Sequence, residues 1–351
     1  MSESSLIERI WRGEGVMPHA TRSLLVPLSL AYRTGISGRN ALYDAGILRS
    51  FTPAIPAISV GNLSVGGTGK TPVSSWIAGC LRDRGGHPAI VLRGYGDDEP
   101  LVHMRLQPDI PVIASPDRIH GIARAAAHGA DVAVMDDAFQ HRRVRRVADV
   151  VLISADHWTG RPRLLPAGPW REPMSALKRA TLIVVTRKAV TDEECDSTHS
   201  AIHAAVAGLP VAMLNLRLEN VVREDGSGQI PVSELRDTRV LAIAAVADTR
   251  AFVRQLELAG ASVRAALYHD HYPFGRADAE RLAASLHASE RAICTLKDAV
   301  KLAPLWPRAA PPLWYVSQRV IPGAGVELFD ALFDGVLSAR ATHQPSTPRT
   351  R

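Results

Sequence analysis

The sequence contains few cysteines and few aromatic residues. Its 351 residues include three cysteines, Cys80, Cys195 and Cys294, and their spacing fits neither a disulfide framework nor a metal site. Such cysteine usage is typical of the reducing cytoplasm. Aromatic residues make up 5% of the chain and do not alternate with basic residues, which argues against binding of single-stranded nucleic acid. We therefore expect no nucleic-acid partner and no cysteine-bound metal.

The N-terminal apolar run is too short to cross a bilayer. It covers residues 23–32, about ten residues, whereas a spanning helix takes roughly 20. Glu3 and Glu8 precede it, so the early basic region of a secretory signal is missing. Arg22 and Arg33 flank the run and would reach the headgroups if an interfacial helix lay on a membrane. A helix packed on the protein core is the alternative, and the residues alone leave both open.

The charge balance is basic. The net charge is +6 and the pI is about 9.5, which favours acidic partners such as a nucleotide or an anionic membrane surface. Length and a hydrophobic content of 46% fit two domains with buried cores. The arginines concentrate in two groups, Arg142, Arg143, Arg145 and Arg146, and then Arg161, Arg163, Arg171 and Arg179. For the first group, a solvated basic face and a functional surface remain equally open.

Residues 57–72 have the pattern of a phosphate-binding loop. A short apolar strand enters a glycine-rich turn that ends in Gly69-Lys70-Thr71, and a helical pattern follows. Glycines let backbone N–H groups converge on phosphate oxygens, Lys70 can reach the β- and γ-phosphates, and Thr71 can ligate Mg²⁺. The strict motif has glycine where this chain has Ser64. The pattern predicts binding of a nucleoside triphosphate by Ser64, Val65, Gly66, Gly67, Thr68, Gly69, Lys70 and Thr71.

Strand and helix patterns alternate as in a doubly wound α/β domain. The sequence pattern changes near residues 212–238. There, a run of alternating apolar and polar residues and a cluster of turn-forming residues predict a β-ribbon linker to a smaller α/β unit. The predicted organisation is an N-terminal membrane-associating segment at 1–50, a P-loop domain at 51–215, a linker at 216–238, a C-terminal α/β domain at 239–338 and a disordered tail at 339–351.

Three groups of polar residues supply candidate chemistry. Asp136 and Asp137 end an apolar strand, where a P-loop site needs a carboxylate for Mg²⁺, and one of them should face the nucleotide. Residues 93–100 read as an acid-rich loop after a strand, and residues 269–272 carry His269 and His271 in the second domain. A histidine from one domain and an aspartate from the other could form a base dyad across a cleft.

Together the motifs resemble the tetraacyldisaccharide 4′-kinases, the lipid A biosynthetic kinases of Gram-negative bacteria. The resemblance extends from about residue 8 to residue 302. The segments that carry it are VGNLSVGGTGKTP (60–72), RGYG (93–96), DEP (98–100), DDAFQHR (136–142), RLLPAGPWREP (163–173), DH (270–271) and TLKDAVKL (295–302).

The resemblance implies a two-domain α/β kinase with its site in the cleft. It would move the ATP γ-phosphoryl group to the 4′-hydroxyl of a tetraacyldisaccharide 1-phosphate at the cytoplasmic face of the inner membrane, with the N-terminal helix attached peripherally. By the same resemblance, Asp98 and His271 form the base dyad, and Asp136, Asp137 and Thr71 serve Mg²⁺ and catalysis. The acceptor side would be lined by Gln140, His141, Arg171 and Glu172.

One departure from the family bears on Asp98. The family carries about twenty residues between its Arg-Gly-Tyr-Gly and Asp-Glu-Pro motifs, a long segment for a compact domain to lose. Here the two motifs abut. Two other classes fit the sequence less well. A GTPase or metallochaperone is disfavoured by the missing aspartate after Thr186-Arg187-Lys188, and a catalytically weakened lipid-binding protein is disfavoured by the presence of Lys70 and Asp137.

Overall fold

The computed structural model describes residues 10–11, 16–94, 96, 98–160, 162–206 and 208–343. Tyr95 and Asp97 of the predicted acid-rich loop, and residues 344–351 of the predicted tail, therefore lie outside the described residues.

Twelve strands form one continuous sheet within the described part of the chain. They are β1 (Ala57–Asn62), β2 (Pro88–Leu92), β3 (Val112–Ala114), β4 (Val132–Asp136), β5 (Ala148–Ser154), β6 (Leu182–Arg187), β7 (Val211–Arg223), β8 (Gln229–Pro231), β9 (Arg239–Ala244), β10 (Ser262–Leu267), β11 (Glu290–Thr295) and β12 (Leu313–Pro322).

Helices lie between most of the strands. They are α1 (Val16–Leu24), α2 (Val26–Asp44), α3 (Lys70–Asp83), α4 (Asp98–Leu106), α5 (Arg118–Ala127), α6 (Asp192–Ala205), α7 (Thr249–Leu258), α8 (Arg276–Ala284), α9 (Leu296–Leu302) and α10 (Glu327–Thr342), with short 3₁₀ turns at Ala155–His157, Met174–Arg179, Val232–Leu235 and Ala303–Leu305.

The strand order is β10-β9-β11-β12-β7-β6-β5-β1-β4-β2-β3, with β8 paired to β7. Every pair is parallel except β12 with β7 and β7 with β8. β1 lies between β4 and β5, so the connections leaving β1 and β4 run in opposite directions. A ligand crevice is expected at such a switch point, beyond the carboxyl ends of the strands.

Helices cover both faces of the N-terminal half of the sheet. α3 and α10 pack on one face, where Trp76 meets Phe329 edge to face at 4.9 Å, and α5 and α6 pack on the other. β1, β4 and β6 are buried along their whole length because both faces are covered. The predicted doubly wound α/β fold of P-loop type is thus confirmed.

One long strand joins the two halves of the molecule. The first part of β7 pairs in parallel with β6, and its continuation pairs with β12, which returns antiparallel from the C-terminal half. A second, smaller parallel group, β10-β9-β11, follows on the far side of β12, with its own clusters of buried apolar residues. The chain between the halves is therefore a β-ribbon.

The N-terminal helices expose their apolar side chains. Leu24, Leu28 and Leu30 are exposed by 79%, 59% and 57%, and α2 has no buried residue. Polar side chains of α2 hold it to the body: the Ser29 hydroxyl donates to the Leu164 carbonyl at 3.0 Å. Among the residues described, no helix is both long and apolar enough to pass through a bilayer.

Two expectations need correction. Residues 98–100 do not continue the acid-rich loop, because α4 begins at Asp98, where Asp98 and Glu99 stand in the first helical turn and their carboxylates suit the positive end of a helix. The final helix does not stop at 338 but runs on to Thr342, four residues into the segment predicted to be disordered.

Candidate active site

The phosphate loop connects β1 to α3 and turns on glycines with positive φ. Gly66 has φ +120°, and Gly69, directly before α3, has φ +85°. A Cβ at Gly69 would also lie 2.2 Å from a Leu216 methyl group. The positive φ therefore favours glycine at this position, and a larger residue would also have to displace the Leu216 side chain. Lys70 and Thr71 open α3, so the first N–H groups of the helix face the loop.

Side chains from the sheet hold the loop in place. Asn62 Nδ2 donates to Thr68 Oγ1 at 2.9 Å, and Thr186 Oγ1 donates to the Thr68 carbonyl at 2.9 Å. Ser64, which stands where the strict motif has glycine, forms a β-bridge with Trp170. These contacts fix the loop from the sheet side, as a phosphate cradle needs, because its N–H groups must stay available for oxygens.

The loop forms one wall of a cavity of about 300 Å³ between the two halves of the molecule. Predicted nucleotide ligands 65–71 all line it, whereas Ser64 does not. The other lining residues are Pro72, Glu99, Val102, Leu106, Asp137, Arg171, Lys188, Leu218, Val246, Ala247, Asp248, Phe252, Asp270, His271, Thr295, Leu296, Lys297, Val316, Ser317 and Gln318.

Of the two adjacent aspartates, Asp137 is the one that lines the cavity. Its backbone has φ +47°, and its Oδ1 lies 3.8 Å from Lys70 Nζ and 3.1 Å from an Arg171 guanidinium nitrogen. A non-glycine residue in this conformation is uncommon, and such strain concentrates at functional sites. The turn at Asp137 directs its side chain toward the phosphate loop.

Asp136 lies behind this wall and is buried. Its Oδ2 contacts His103 Nε2 at 3.0 Å, while its Oδ1 accepts from the Ser74 hydroxyl and from the Asp137 N–H, each at 2.9 Å. Burial alone would raise the pKa of Asp136, but His103, Lys70 and Ser74 together hold it below the ordinary value. Asp136, at the end of β4, therefore packs against α3 and α4 and does not line the cavity, which agrees with the expectation that one of the two aspartates faces the nucleotide; its role at the metal stays a prediction.

Asp98 and His271 meet across the two halves of the molecule. His271 Nδ1 lies 3.6 Å from Asp98 Oδ2, and His271 has φ +58°. Burial alone would raise the pKa of Asp98, but His271, Lys297 and Lys301 lower it. The Asp98 contact raises the pKa of His271, while burial and the Lys297 ammonium, 3.0 Å from Nε2, act in the opposite direction. The net shift of the His271 pKa is upward.

Asp98 is connected to the cavity by its contact with His271. Asp98 is 6% exposed and does not line the cavity, whereas His271 does. The neighbouring Glu99 does line it, and burial, together with the negative charge of Asp136, raises the pKa of Glu99. The sequence motif contained Glu99, but nothing in the pattern indicated which of the two acids faces the cavity.

Of the predicted acceptor residues, Arg171 lines the cavity and Gln140 and His141 do not. Gln140 Nε2 donates to the Asn62 carbonyl at 2.8 Å, which braces the end of β1. His141 is half-buried, and desolvation with the charges of Arg118 and Arg146 lowers its pKa to about 4. Its imidazole is therefore neutral at physiological pH.

Glu172 is also outside the cavity lining. It is 1% exposed, accepts from Arg179 at 2.9 Å and accepts from Asn40 of α2 at 2.8 Å. It thus ties the N-terminal helix to the body of the protein. Neighbouring Arg171 is likewise linked to α2, because the Tyr32 hydroxyl donates to its carbonyl at 3.0 Å.

The residues present fit a magnesium ion. Thr71 and Asp137 offer a hydroxyl and a carboxylate from the same cavity, and Mg²⁺ prefers such oxygen ligands with water and phosphate oxygens completing its shell. A set of three or more His, Cys, Asp or Glu side chains able to enclose a metal by themselves is not found among the described residues. Thr71 and Asp137 can thus supply two of the ligands, with water and phosphate oxygens as the others.

Several residues of the site were not singled out from the sequence. Lys297 contacts His271, and Lys188 and Asp248 meet beside the phosphate loop. Lys297 lies in the TLKDAVKL segment and Lys188 in the run Thr186-Arg187-Lys188, but neither pattern indicates a contact with the site. Asp248 carried no signal, because only folding brings it beside residues 60 positions earlier.

Comparisons with known proteins agree with this geometry. The family model described as "Tetraacyldisaccharide-1-P 4'-kinase" matches residues 21–98 and 96–337. The two matched segments overlap at residues 96–98, where the RGYG and DEP motifs of this chain abut. A tetraacyldisaccharide 4′-kinase of Anaeromyxobacter sp. strain Fw109-5 is 38% identical over 339 aligned positions, covering 88% of this chain and 90% of the relative.

A second relative of the same name, from Halorhodospira halophila, is 34% identical and covers 89% of this chain and 92% of its own length. Among solved structures, that of LpxK from Aquifex aeolicus in complex with ATP superposes with a TM-score of 0.71 at 27% identity, covering 90% of this chain and 99% of that one. The phosphate loop, the paired aspartates and these matches lead to one conclusion: the chain belongs to the tetraacyldisaccharide-1-phosphate 4′-kinase family.

Proposed function

We propose that this protein transfers the γ-phosphoryl group of ATP to the 4′-hydroxyl of a tetraacyldisaccharide 1-phosphate at the cytoplasmic face of the inner membrane. The observation that carries the proposal is the convergence of Lys70, Asp137 and His271 on one cavity. Residues 51–215 would form the nucleotide-binding domain, 239–338 the domain that supplies His271, and 216–238 the linker.

The nucleotide would bind on the phosphate loop. Loop N–H groups and the N-terminus of α3 would hold the phosphate oxygens, and Lys70 would neutralise charge on the transferring group. Thr71 and Asp137 would hold Mg²⁺, which supplies charge neutralisation at the β- and γ-phosphates. Arg171, 3.1 Å from Asp137, would add a guanidinium that suits a phosphate oxygen.

The acceptor hydroxyl would lose its proton to the Asp98–His271 pair. Asp98 carries a lowered pKa and stays ionised at neutral pH, so it can hold the imidazole of His271 and stabilise its positive charge after proton uptake. This arrangement has one base on the C-terminal side of the cavity and the phosphate loop on the other. Transfer then depends mainly on positioning and electrostatics.

The exposed leucines of α1 and α2 support a membrane-bound substrate. Leu24, Leu28 and Leu30 are exposed apolar side chains of the kind that an interfacial helix buries among acyl chains. The same helix is bonded to Arg171 through Tyr32, so the membrane surface and the cavity are joined by one element. A lipid acceptor could thereby reach the site without leaving the bilayer.

The test is transfer of label from γ-labelled ATP to tetraacyldisaccharide 1-phosphate in detergent micelles with Mg²⁺. We expect labelled lipid from the wild type and a large loss in Asp98→Ala and His271→Ala. His269→Ala, an exposed histidine on the same loop, is the matched control and should keep activity. ATP binding without any transfer would overturn the proposal and favour a weakened lipid-binding protein.

A further inference from the structure

A buried ion pair joins the phosphate loop to the C-terminal half of the molecule. Lys188 follows β6, and Asp248 precedes α7; the side chain of each is 7% exposed. Lys188 Nζ donates to Asp248 Oδ2 at 3.0 Å and to the Gly67 carbonyl at 2.5 Å. One ammonium group thus bonds the loop and a residue from the other half at the same time.

The Gly67 carbonyl is part of the cradle itself. A phosphate loop works because its N–H groups turn toward the ligand, which requires its carbonyls to be held elsewhere. The next carbonyl, that of Thr68, is held by Thr186 from within the N-terminal half. The Gly67 carbonyl is held by Lys188, so Lys188 takes part in setting the orientation of the peptide between residues 67 and 68.

Asp248 in turn fixes Lys188. Its Oδ2 also contacts His157 Nε2 at 2.9 Å, and its Oδ1 caps α7 by accepting from the Ala251 N–H at 3.2 Å. Burial alone would raise the pKa of Asp248, but Lys188 and His157 hold it far below the ordinary value. The carboxylate is therefore charged, and removing Lys188 would leave it in a buried place with only the histidine.

The phosphate loop packs closely against the C-terminal half, and hydrogen bonds from Gln255 join the two halves as well. A Cβ added at Gly67 would lie 3.1 Å from Asp248 Cβ, so the loop and the C-terminal half touch directly. Further along α7, Gln255 Nε2 donates to the Lys188 carbonyl at 3.2 Å and to the Leu216 carbonyl at 2.7 Å. Displacing α7 from the loop would break both the ion pair and these bonds.

We propose that Lys188 is a positioning residue for ATP binding. Its ion pair with Asp248 makes the conformation of the phosphate loop depend on the position of α7. The inference rests on the proposed use of this loop for ATP. It predicts that Asp248, a residue of the opposite half, controls nucleotide affinity through Lys188. A lysine that acted only by touching ATP would behave differently, because freeing it from Asp248 would leave ATP binding intact or strengthen it.

The experiment measures the Kd of Mg-ATP by titration calorimetry on the full chain in detergent. The proteins are wild type, Lys188→Met, Asp248→Asn and the double variant. We expect each single change to raise Kd about tenfold or more, since each leaves a buried partner unsatisfied. The double variant should be no weaker than the worse single one, because the two residues act as a unit. Steady-state rates should show KM for ATP raised and KM for lipid unchanged.

Arg264→Met supplies the matched control. It breaks another ion pair of the C-terminal half, with Glu290 at 2.6 Å, away from the cavity lining. Its Kd for ATP should stay at the wild-type value even if its melting temperature falls. If Lys188→Met does not fold, His157→Ala removes the other partner of Asp248 from a more exposed position and should raise Kd about two- to threefold.

Three outcomes would decide between the readings. A raised Kd in Lys188→Met with wild-type or tighter binding in Asp248→Asn would overturn the coupling and assign Lys188 to direct contact with ATP. Unchanged Kd in both would overturn the inference altogether while leaving the proposed function standing. Coupled loss of affinity in a protein that transfers no phosphate to lipid would support the inference and overturn the proposed function.

Discussion

Replacing Asp98 by asparagine would remove the charge from the Asp98–His271 pair while keeping the size of the side chain. Asp98 is 6% exposed, stands in the first turn of α4 and contacts His271 Nδ1 at 3.6 Å. Asp98 holds the His271 imidazole and stabilises its charge after proton uptake, and a positioned general base contributes about 10²- to 10⁴-fold; we therefore expect kcat to fall by up to that factor, or roughly 3–5 kcal/mol in the activation free energy. ATP affinity should change little, because Asp98 does not line the cavity.

The pH profile gives a second readout of the same variant. The imidazole accepts a proton only when neutral, and Asp98 raises the pKa of His271 above the ordinary 6.5. The acidic limb of kcat in the wild type should therefore lie above pH 6.5, with activity lost as pH falls through the raised value. In Asp98→Asn the residual activity should show this limb at lower pH, because the group that favours the protonated imidazole is gone.

The assay is the initial rate of labelled-lipid formation at saturating ATP and Mg²⁺, over about pH 5.5 to 9 so that the histidine titrates within the range. Glu99→Gln is the matched comparison, because Glu99 is the adjacent acid, lines the cavity and has a raised pKa. It should lose less activity than Asp98→Asn. If Asp98→Asn instead keeps nearly wild-type activity and Glu99→Gln loses more, the reasoning is refuted and the base role passes to Glu99.

Three further predictions follow from contacts at the site and at the surface. Lys70→Ala and Asp137→Ala should each lower kcat/KM at least a hundredfold, as single removals of transition-state charge partners do, in the same labelled-lipid assay. His103→Ala should destabilise the fold by about 3–5 kcal/mol in urea titrations, because it leaves the buried Asp136 carboxylate without its 3.0 Å partner. Leu28→Glu should weaken sedimentation with anionic lipid vesicles by about ten- to a hundredfold, since burying one leucine contributes roughly 1.5–3 kcal/mol.

Each of these has an outcome that contradicts it. Wild-type activity in either Lys70→Ala or Asp137→Ala would remove that residue from the site. An unchanged urea midpoint for His103→Ala would mean that Asp136 finds other partners. Vesicle binding by Leu28→Glu equal to wild type, with an unchanged melting temperature, would show that the exposed leucines do not meet the membrane; Glu257→Gln, at an exposed position on α7, is a surface control.

Local patterns in the sequence were enough to predict the phosphate loop and the α/β class. Glycines with positive φ, the Lys-Thr pair at a helix start and the buried apolar strand all depend on residues within about one strand and one helix of each other. The sequence does not predict the helix that begins at Asp98, because acids beside a proline are as typical of a turn as of a first helical turn.

Tertiary structure alone decided how the polar residues divide between cavity and core. Asp136 and Asp137 are adjacent and chemically identical. Asp136 is buried and bonded to His103 of α4 and Ser74 of α3, whereas the positive φ of Asp137 turns its side chain toward Lys70. The resemblance assigned Glu172 to the acceptor side, yet Arg179 and Asn40 bury it.

The sequence by itself therefore determined the chemistry that this protein carries: a phosphate loop, carboxylates after a strand, and an Asp and a His in different halves. What only the tertiary structure decided is which of these groups face one another. His271 meets Asp98, and Lys188 meets Asp248, across separations of 173 and 60 positions that no local pattern records. The physical reason is that the packing of whole helices and strands decides which charged side chains come into contact. That packing depends on the burial of apolar residues across the complete sheet.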